Sequence, residues 1–558
     1  MRASVAATVA VVGLVIGLMA TGCGADQQRP QAVAAAAPVG HRAIPAQPNI
    51  VVVMADDMRA DDVRFMPHVR ALVADTGLSF RNSFSPYPLC CPARASFLTG
   101  QYPHNHRILS NEEPWGFGAF DDRATIATSL QAAGYRTGFV GKYLNNYGAV
   151  PSAVTGESSW HYVPAGWSDW RGLVQLPPDS RISRGGTYDY YHPIFNVDGR
   201  TDNKHKGQYQ TGVVGRFARE LLARYAVEQD PFFLYLSALA PHTGFPKEPD
   251  DMARDNGWIP TPARPDWVKG KYDELVTRSP GIPATGQPEA DVSDKPGAVR
   301  ALPMDAADVA EDLTRTRQRA ESLHVLDLEI GRLIETLRET GTLDRTVLMF
   351  TSDNGYFLGE HRRVCCKTLP YEPALRVPFL VTGPGVPHGV RFDPVKTPDL
   401  AATILDLADA DAPHPADGVS LLDVIEDGDR GWSVPVLTEA LVAGASGDSA
   451  KRERRGFPDA RTTIGLRTAR YKLVRWATGA VELYDLATDP NELTNVAERP
   501  GYRRVVRDLT AAWWRYKDCD GAECTRPMRA PYAVQPDRLA RLTDGQASGI
   551  RDLFGVSW

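Results

Sequence analysis

The chain has 558 residues, 43% of them hydrophobic and 23% charged, with a formal net charge of −6 and a pI near 6.1. That length exceeds one compact core, so two domains are expected. The acidic balance offers no footing for nucleic acid, which calls for a basic face. Beyond residue 25 no stretch is long and apolar enough to cross a bilayer.

Met1-Arg2 gives a short positive start, Val5 to Ala20 is dominated by small and aliphatic residues, and Thr21-Gly22-Cys23 closes the segment. Residues 1–23 therefore read as an export signal of lipoprotein type, with Cys23 as the lipidated residue. Residues 24–47, rich in Ala, Gln and Pro, read as a linker. The expected location is extracellular or at the cell envelope, with a lipid at Cys23 as the membrane contact.

Asn49-Ile50-Val51-Val52-Val53-Met54 is a continuous apolar run, read as a strand buried on both faces, and it ends in Ala55-Asp56-Asp57. Helical periodicity follows over Met66–Val73 and Thr125–Ala133, and Tyr135–Val140 reads as a strand running into Gly141-Lys142. Phe232–Ser237 is a further strand, ending near Pro241-His242. From Leu313 to Thr340, Leu323, Leu326, Ile330, Leu333, Ile334 and Leu337 recur at three- and four-residue spacing, which predicts a helix. Thr346–Thr351 is again strand-like and ends in Ser352-Asp353-Asn354-Gly355; Pro378–Val381 and a helix near Asp399–Ala408 follow. Strands alternating with helices predict an α/β fold with a large, mostly parallel sheet flanked by helices. In such sheets ligands bind beyond the carboxyl ends of the strands.

Residues 145–215 and 243–312 lack sheet-like runs and are expected to wall the substrate pocket. After about residue 430, strands over Thr463–Val474 and Val481–Leu486 and a helix over Gly501–Tyr516 predict a small α+β domain. The order of residues 525–558 is left open. The domain expectation is thus 48–428, then 429–530, then a tail over 531–558. Of the seven cysteines, Cys519 and Cys524 are close enough for a local bridge, and Cys365 and Cys366 are expected to bridge elsewhere, with Cys91 as one partner.

Asp56, Asp57, Asp353 and Asn354 stand at two strand ends. Singly each is a cap or turn residue; together the carboxylates would repel by about 4 kcal/mol per pair at about 4 Å and an effective dielectric near 20. A hard divalent cation removes that cost, and all-oxygen ligands point to Ca²⁺, with Mg²⁺ as the alternative. Arg94, Lys142, Lys367 and His242 add cations beside this acidic set, an arrangement suited to a tetrahedral anion. Leu89-Cys90-Cys91-Pro92-Ala93-Arg94 opens a helix-compatible segment. Taken alone it is either a disulfide or buried thiol, or a nucleophile at a helix start.

Cys90-Cys91-Pro92-Ala93-Arg94 resembles the Cys-x-Pro-x-Arg motif of the formylglycine-dependent sulfatases of the alkaline phosphatase superfamily. The other segments follow in that family's order: Ala55-Asp56-Asp57, Gly134-Tyr135-Arg136-Thr137 through Gly141-Lys142, Pro231-Phe232-Phe233 through Pro241-His242, Ser352-Asp353-Asn354-Gly355, Lys367 before Tyr371-Glu372, and Arg376-Val377-Pro378. Glu482-Leu483-Tyr484-Asp485-Leu486 and Asp489-Pro490-Asn491-Glu492 extend the likeness to about residue 500. The resemblance implies an alkaline phosphatase-like fold and hydrolysis of sulfate monoesters. It implies a formylglycine (3-oxoalanine) made from Cys90 by a formylglycine-generating enzyme, and a metal held by Asp56, Asp57, Cys90, Asp353 and Asn354. One hydroxyl of the aldehyde hydrate would attack sulfur and the other would expel sulfate. Arg94 would steady the formylglycine, Lys142 and Lys367 would bind sulfate oxygens, and His242 would lie near the leaving-group oxygen.

Many members read Gly-Lys-x-His, whereas Leu144 stands in that histidine's place here. Gly141-Lys142-Tyr143-Leu144-Asn145, Tyr102-Pro103-His104-Asn105-His106 and Asp353-Asn354-Gly355-Tyr356 instead resemble the N-acetylglucosamine-6-sulfatase branch, which points to sulfated amino sugars or a related small molecule or glycan. Asn145 and His361 are the candidates for the missing base or its orienter. Two rivals remain: a phosphate mono- or diester hydrolase on the same scaffold, and a lipoprotein that binds sulfated glycans without turnover.

Overall fold

The computed structural model describes residues 44–177, 180, 184–252, 261–286, 289–445 and 449–558. The export signal, Cys23 and most of the linker lie outside the described residues. Ten strands form the large sheet: β1 (Asn49–Ala55), β2 (Leu78–Phe84), β3 (Arg136–Lys142), β4 (Asp169–Leu173), β5 (Phe195–Val197), β6 (Arg200–Asp202), β7 (Phe232–Ser237), β8 (Thr346–Ser352), β9 (Phe379–Thr382) and β10 (Gly389–Lys396). Their order is β10-β2-β9-β8-β1-β7-β3-β4-β5-β6. The central run β8-β1-β7-β3-β4 is parallel, while β9, β5 and β6 pair antiparallel to their neighbours.

The apolar run of β1 is buried because the pleat sends alternate residues into two cores. Ile50, Val52 and Met54 pack with helices Cys90–Thr99 and Thr397–Ala408 through Phe97, Leu98, Leu400 and Ile404. Val51 and Val53 pack with helices Gln210–Tyr225 and Ala306–Glu339 through Leu221, Leu323, Leu326 and Ile330. The long helix begins seven residues before its expected start. Asp305 caps it there, accepting from the N–H groups of Ala307 (2.8 Å) and Asp308 (2.9 Å).

Residues 145–215 carry β4, β5, β6 and the start of a helix, so they widen the sheet as well as walling the site. Thr463–Val474, read as one strand, is two: β12 (Thr463–Arg467) and β13 (Tyr471–Trp476). With β11 (Val436–Ala440) and β14 (Val481–Asp485) they form a four-stranded antiparallel sheet. Helix Arg503–Tyr516 covers this smaller sheet through Leu509 and Trp513. The tail holds a helix, Pro536–Phe554, that returns to the large sheet. There Asn82 Nδ2 donates to Thr543 Oγ1 at 2.8 Å, and from the smaller sheet Arg467 Nη2 donates to Gln546 Oε1 at 3.1 Å. Among the described residues no helix is long and apolar enough to cross a membrane.

Cys519 and Cys524 are bridged as expected. Cys365 and Cys366 correct the other expectation: they are bridged to each other, and Cys91 is a buried free thiol.

Candidate active site

Strand register assembles the site. Ala55 of β1 pairs with Ser352 of β8, so the two acidic dipeptides, Asp56-Asp57 and Asp353-Asn354, leave adjacent strands side by side. On the other flank of β1, β7 leads through Ser237 to His242, and Gly141 of β3 pairs with Ser237, which brings Lys142 alongside. Gly141 has φ +114°, and a Cβ there would lie 1.9 Å from the Ser237 carbonyl oxygen, so the lysine's approach depends on glycine. The helix-compatible segment is a helix that begins at Cys90 itself, which puts the Cys90 side chain in its first turn.

The Cys90 thiol donates to Asp56 Oδ1 at 3.4 Å and accepts from Lys367 Nζ at 2.9 Å. Candidate ligand atoms of Asp56, Asp57, Cys90 and His242 all lie within 4.8 Å of one another. Lys142 pairs with Asp56 and Lys367 with Asp57. Arg94 is 1% exposed. Its guanidinium meets Asp56 Oδ2 (3.1 Å), Asp353 Oδ2 (2.9 Å) and the Lys142 carbonyl (3.1 Å), so its donors tie the carboxylates to the end of β3. Asp353 Oδ1 accepts the backbone N–H groups of Asp57 (3.0 Å) and Asn354 (2.8 Å), which fixes Asp57 at its left-handed φ of +66°.

Burial alone would raise the Asp56 carboxyl, but Lys142, His242, Arg94 and Lys367 outweigh it and hold it below the usual range. Burial likewise works against Asp57, and Lys367 and His242 prevail in lowering it. Asp353 moves the other way, to about 6, because burial and the Asp56 charge together exceed the pull of Arg94. Burial and Asp56 raise the Cys90 thiol well above its ordinary value.

Asn354 supplies the test of whether these residues suit a cation. Its Nδ2 donates to Asp57 Oδ1 at 2.7 Å and to the Gly355 carbonyl at 2.8 Å. Its buried Oδ1 has no hydrogen-bond partner among the described residues. An unpaired acceptor beside three carboxylates is an all-oxygen donor set of the kind a hard divalent ion takes.

His242 Nδ1 lies 2.7 Å from the Thr243 carbonyl and its Nε2 3.7 Å from Asp57 Oδ2. Burial, helped by Lys142 and Lys367 against the two aspartates, lowers the imidazole to about 4. With Nδ1 assigned as the donor to Thr243, Nε2 carries a lone pair facing the cluster. Asn145 sits at the edge: its N–H donates to Cys91 Sγ at 3.1 Å and its Nδ2 to the Tyr188 hydroxyl at 2.6 Å. His361 contacts other partners. Its Nδ1 lies 2.8 Å from Glu289 Oε2 and its ring packs on Tyr371 at 4.4 Å. Leu144 is core, 3% exposed.

Three further residues join the site without having been singled out in the sequence. Ser237 accepts from Arg94 and donates to the Lys142 carbonyl at 2.5 Å. Arg319 Nη2 donates to the Asp57 carbonyl at 2.5 Å from the long helix. It lies four residues before Leu323, where the apolar stripe turns charged, and that was a readable signal. Tyr188 lies on a loop and carried none. An open cavity of about 610 Å³ adjoins, with Lys367, Cys365, Cys366, Leu302 and Phe357 in its wall.

A model of the sulfatase family matches residues 48–410, and one described as N-sulphoglucosamine sulphohydrolase, C-terminal, matches 453–518. An arylsulfatase of Volvox carteri is 32% identical over 531 residues, spanning 87% of this chain and 76% of that protein. The human N-acetylglucosamine-6-sulfatase is 28% identical, spanning 86% of each chain. Among solved structures, one in complex with its substrate D-glucosamine-2-N,6-O-disulfate aligns with a TM-score of 0.60 at 21% identity, covering 85% of this chain and 99% of that one. At that identity the likeness establishes the fold.

Proposed function

The chain belongs to the sulfatase family, and on that premise we propose that Cys90, oxidised to formylglycine, is the centre at which it hydrolyses sulfate monoesters to alcohol and inorganic sulfate. The observation that carries this reading is the convergence of Asp56, Asp57, Asp353 and the unpaired Asn354 Oδ1 around Cys90, with two lysines pressed against them. Asp56, Asp57, Asp353 and Asn354, with the modified Cys90, would hold the divalent ion, Ca²⁺ ahead of Mg²⁺. The ion and the aldehyde hydrate together supply a Lewis acid and an oxygen nucleophile.

The chain's own residues do the rest. Lys142, paired with Asp56, and Lys367, paired with Asp57 and touching Cys90, present positive charge to the sulfate oxygens. Arg94 and Ser237 brace the carboxylates and the Lys142 backbone. His242 Nε2 is the atom at which a proton is held or passed on the leaving-group side. The branch likeness supports sulfated amino sugars as the substrate class. Export, lipidation at Cys23, and a catalytic unit over 48–428 followed by an α+β unit over 429–530 complete the proposal.

Two measurements test it. Mass spectrometry across Leu89–Arg94, after co-expression with a formylglycine-generating enzyme, should find Cys90 as the aldehyde; an intact thiol there sinks the mechanism and favours a non-catalytic binder. Rates on matched aryl sulfates and aryl phosphates should favour sulfate. A preference for phosphate by orders of magnitude hands the site to the phosphate-ester rival.

A further inference from the structure

Resting on that reading of the site, we propose that Tyr188 is a substrate-contacting residue of the sulfate pocket, its hydroxyl aimed by Asn145 and its ring braced against Lys142 and His242. The Asn145 amide donates to the Tyr188 oxygen at 2.6 Å. Among the described residues the hydroxyl hydrogen has no acceptor, so it is free to donate to a sulfate or leaving-group oxygen. Lys142 Nζ lies 5.1 Å from the ring centroid, a cation–π distance, and the His242 ring lies 5.2 Å away at a 40° tilt. One half-buried tyrosine thus lies against Lys142 and His242, assigned to the sulfate and leaving-group sides, and bonds to Asn145.

The backbone around Tyr188 is tied down. The Tyr188 carbonyl accepts from Phe245 N–H at 2.7 Å, and the Phe245 carbonyl accepts from Tyr190 N–H at 2.8 Å. This bridge clamps the loop carrying Tyr188 to the segment that follows His242. A Cβ on Gly244 would lie 2.8 Å from the Tyr188 carbonyl oxygen, so glycine permits the contact. Burial pushes the Tyr188 hydroxyl up against the pull of Lys142, so it keeps its proton. On this account the part that a histidine at position 144 plays in other members falls to Asn145 and, from another loop, Tyr188, acting as one unit.

The test uses the matured, Ca²⁺-loaded full chain. Tyr188→Phe keeps the ring and removes the donor. It should lose about tenfold in kcat/KM on an aryl sulfate, and weaken inorganic sulfate binding by calorimetry to a similar degree, as expected for one hydrogen bond to a charged oxygen. Tyr188→Leu, which also removes the brace on Lys142 and His242, should fall further. Asn145→Ala should cost much less in the Tyr188→Phe background than in the parent, because the amide acts through the hydroxyl. A loss under about threefold for Tyr188→Phe in both readouts, or equal Asn145→Ala costs in both backgrounds, overturns the inference. A parent enzyme with no sulfatase activity would instead overturn the reading on which it rests. Near-UV circular dichroism of the isosteric phenylalanine variant separates either outcome from misfolding.

Discussion

Two buried charge clusters in this protein are built from the same ingredients and do different work. One is the set around Cys90. The other joins the large sheet's layer to the smaller sheet: His104 Nδ1 meets Glu439 Oε1 at 2.6 Å, Arg461 meets Glu439 and meets Asp518 at 2.6 Å, and His104 Nε2 meets the Cys519 carbonyl at 2.7 Å. In this second cluster one buried carboxylate is answered by two cations, and both ring nitrogens of His104 have partners. At Cys90 three carboxylates crowd together, one of them pushed up to about 6, and Asn354 Oδ1 is left without a partner. Burial of charge alone therefore does not mark a site. What separates the Cys90 cluster from this one is an unpartnered acceptor, Asn354 Oδ1, lying among three carboxylates.

The largest effect should come from Cys90. Cys90→Ala should lower kcat by at least about a thousandfold, with near-UV circular dichroism unchanged, because the thiol's partners keep other ties, Asp56 to Lys142 and Arg94 and Lys367 to Asp57. Glu439→Gln should do the reverse. It leaves Arg461 and His104 facing a neutral group, costing about 3–5 kcal/mol of stability in urea unfolding, while kcat/KM per folded molecule holds. If Glu439→Gln instead abolished turnover at full stability, the contrast between the clusters would collapse. Asn354→Ala comes next. It removes the unpaired acceptor, so it should raise the Ca²⁺ concentration needed to restore chelator-treated enzyme by about tenfold or more. Equal Ca²⁺ requirements would remove Asn354 from the ligand set.

The same contrast explains what the sequence disclosed. The acidic strand ends were legible because buried parallel strands read as unbroken apolar runs, so Asp56 and Asp353 each stood at a visible boundary. Strands β5 and β6 went unread because each is three residues long, antiparallel and partly polar. The tail helix did carry a signal: Pro536 at its start, Leu539, Leu542 and Phe554 on its inner side, and Gly555 as its stop. The Cys365–Cys366 bridge defeated a spacing argument, since its Cα atoms are 3.7 Å apart, inside the separation at which most bridges form. His104, which carries part of the branch resemblance, serves in the structure as a strut. Tyr188 reached the site through loop geometry, which no periodicity encodes.

The smallest effect, and the sharpest on the strut, is the pH dependence of stability. Burial works against the Glu439 carboxylate, but His104 and Arg461 prevail and hold it down at about 2. A carboxyl lowered from 4.5 contributes stability that is complete above that value and is lost as pH falls toward about 2. Burial likewise opposes protonation of His104, and Glu439 outweighs it to raise the imidazole above 6.5. A raised histidine contributes stability that is complete below 6.5 and is lost as pH climbs through its folded value. The stability gap between the parent and Glu439→Gln should therefore be widest between about pH 5 and 6 and narrow on both sides. The Cys90→Ala variant keeps this pair intact, so its gap to the parent should show no maximum in that window. A flat gap for Glu439→Gln across the range would mean that the pair is not charged in the folded protein, and that the two clusters differ less than their geometry says.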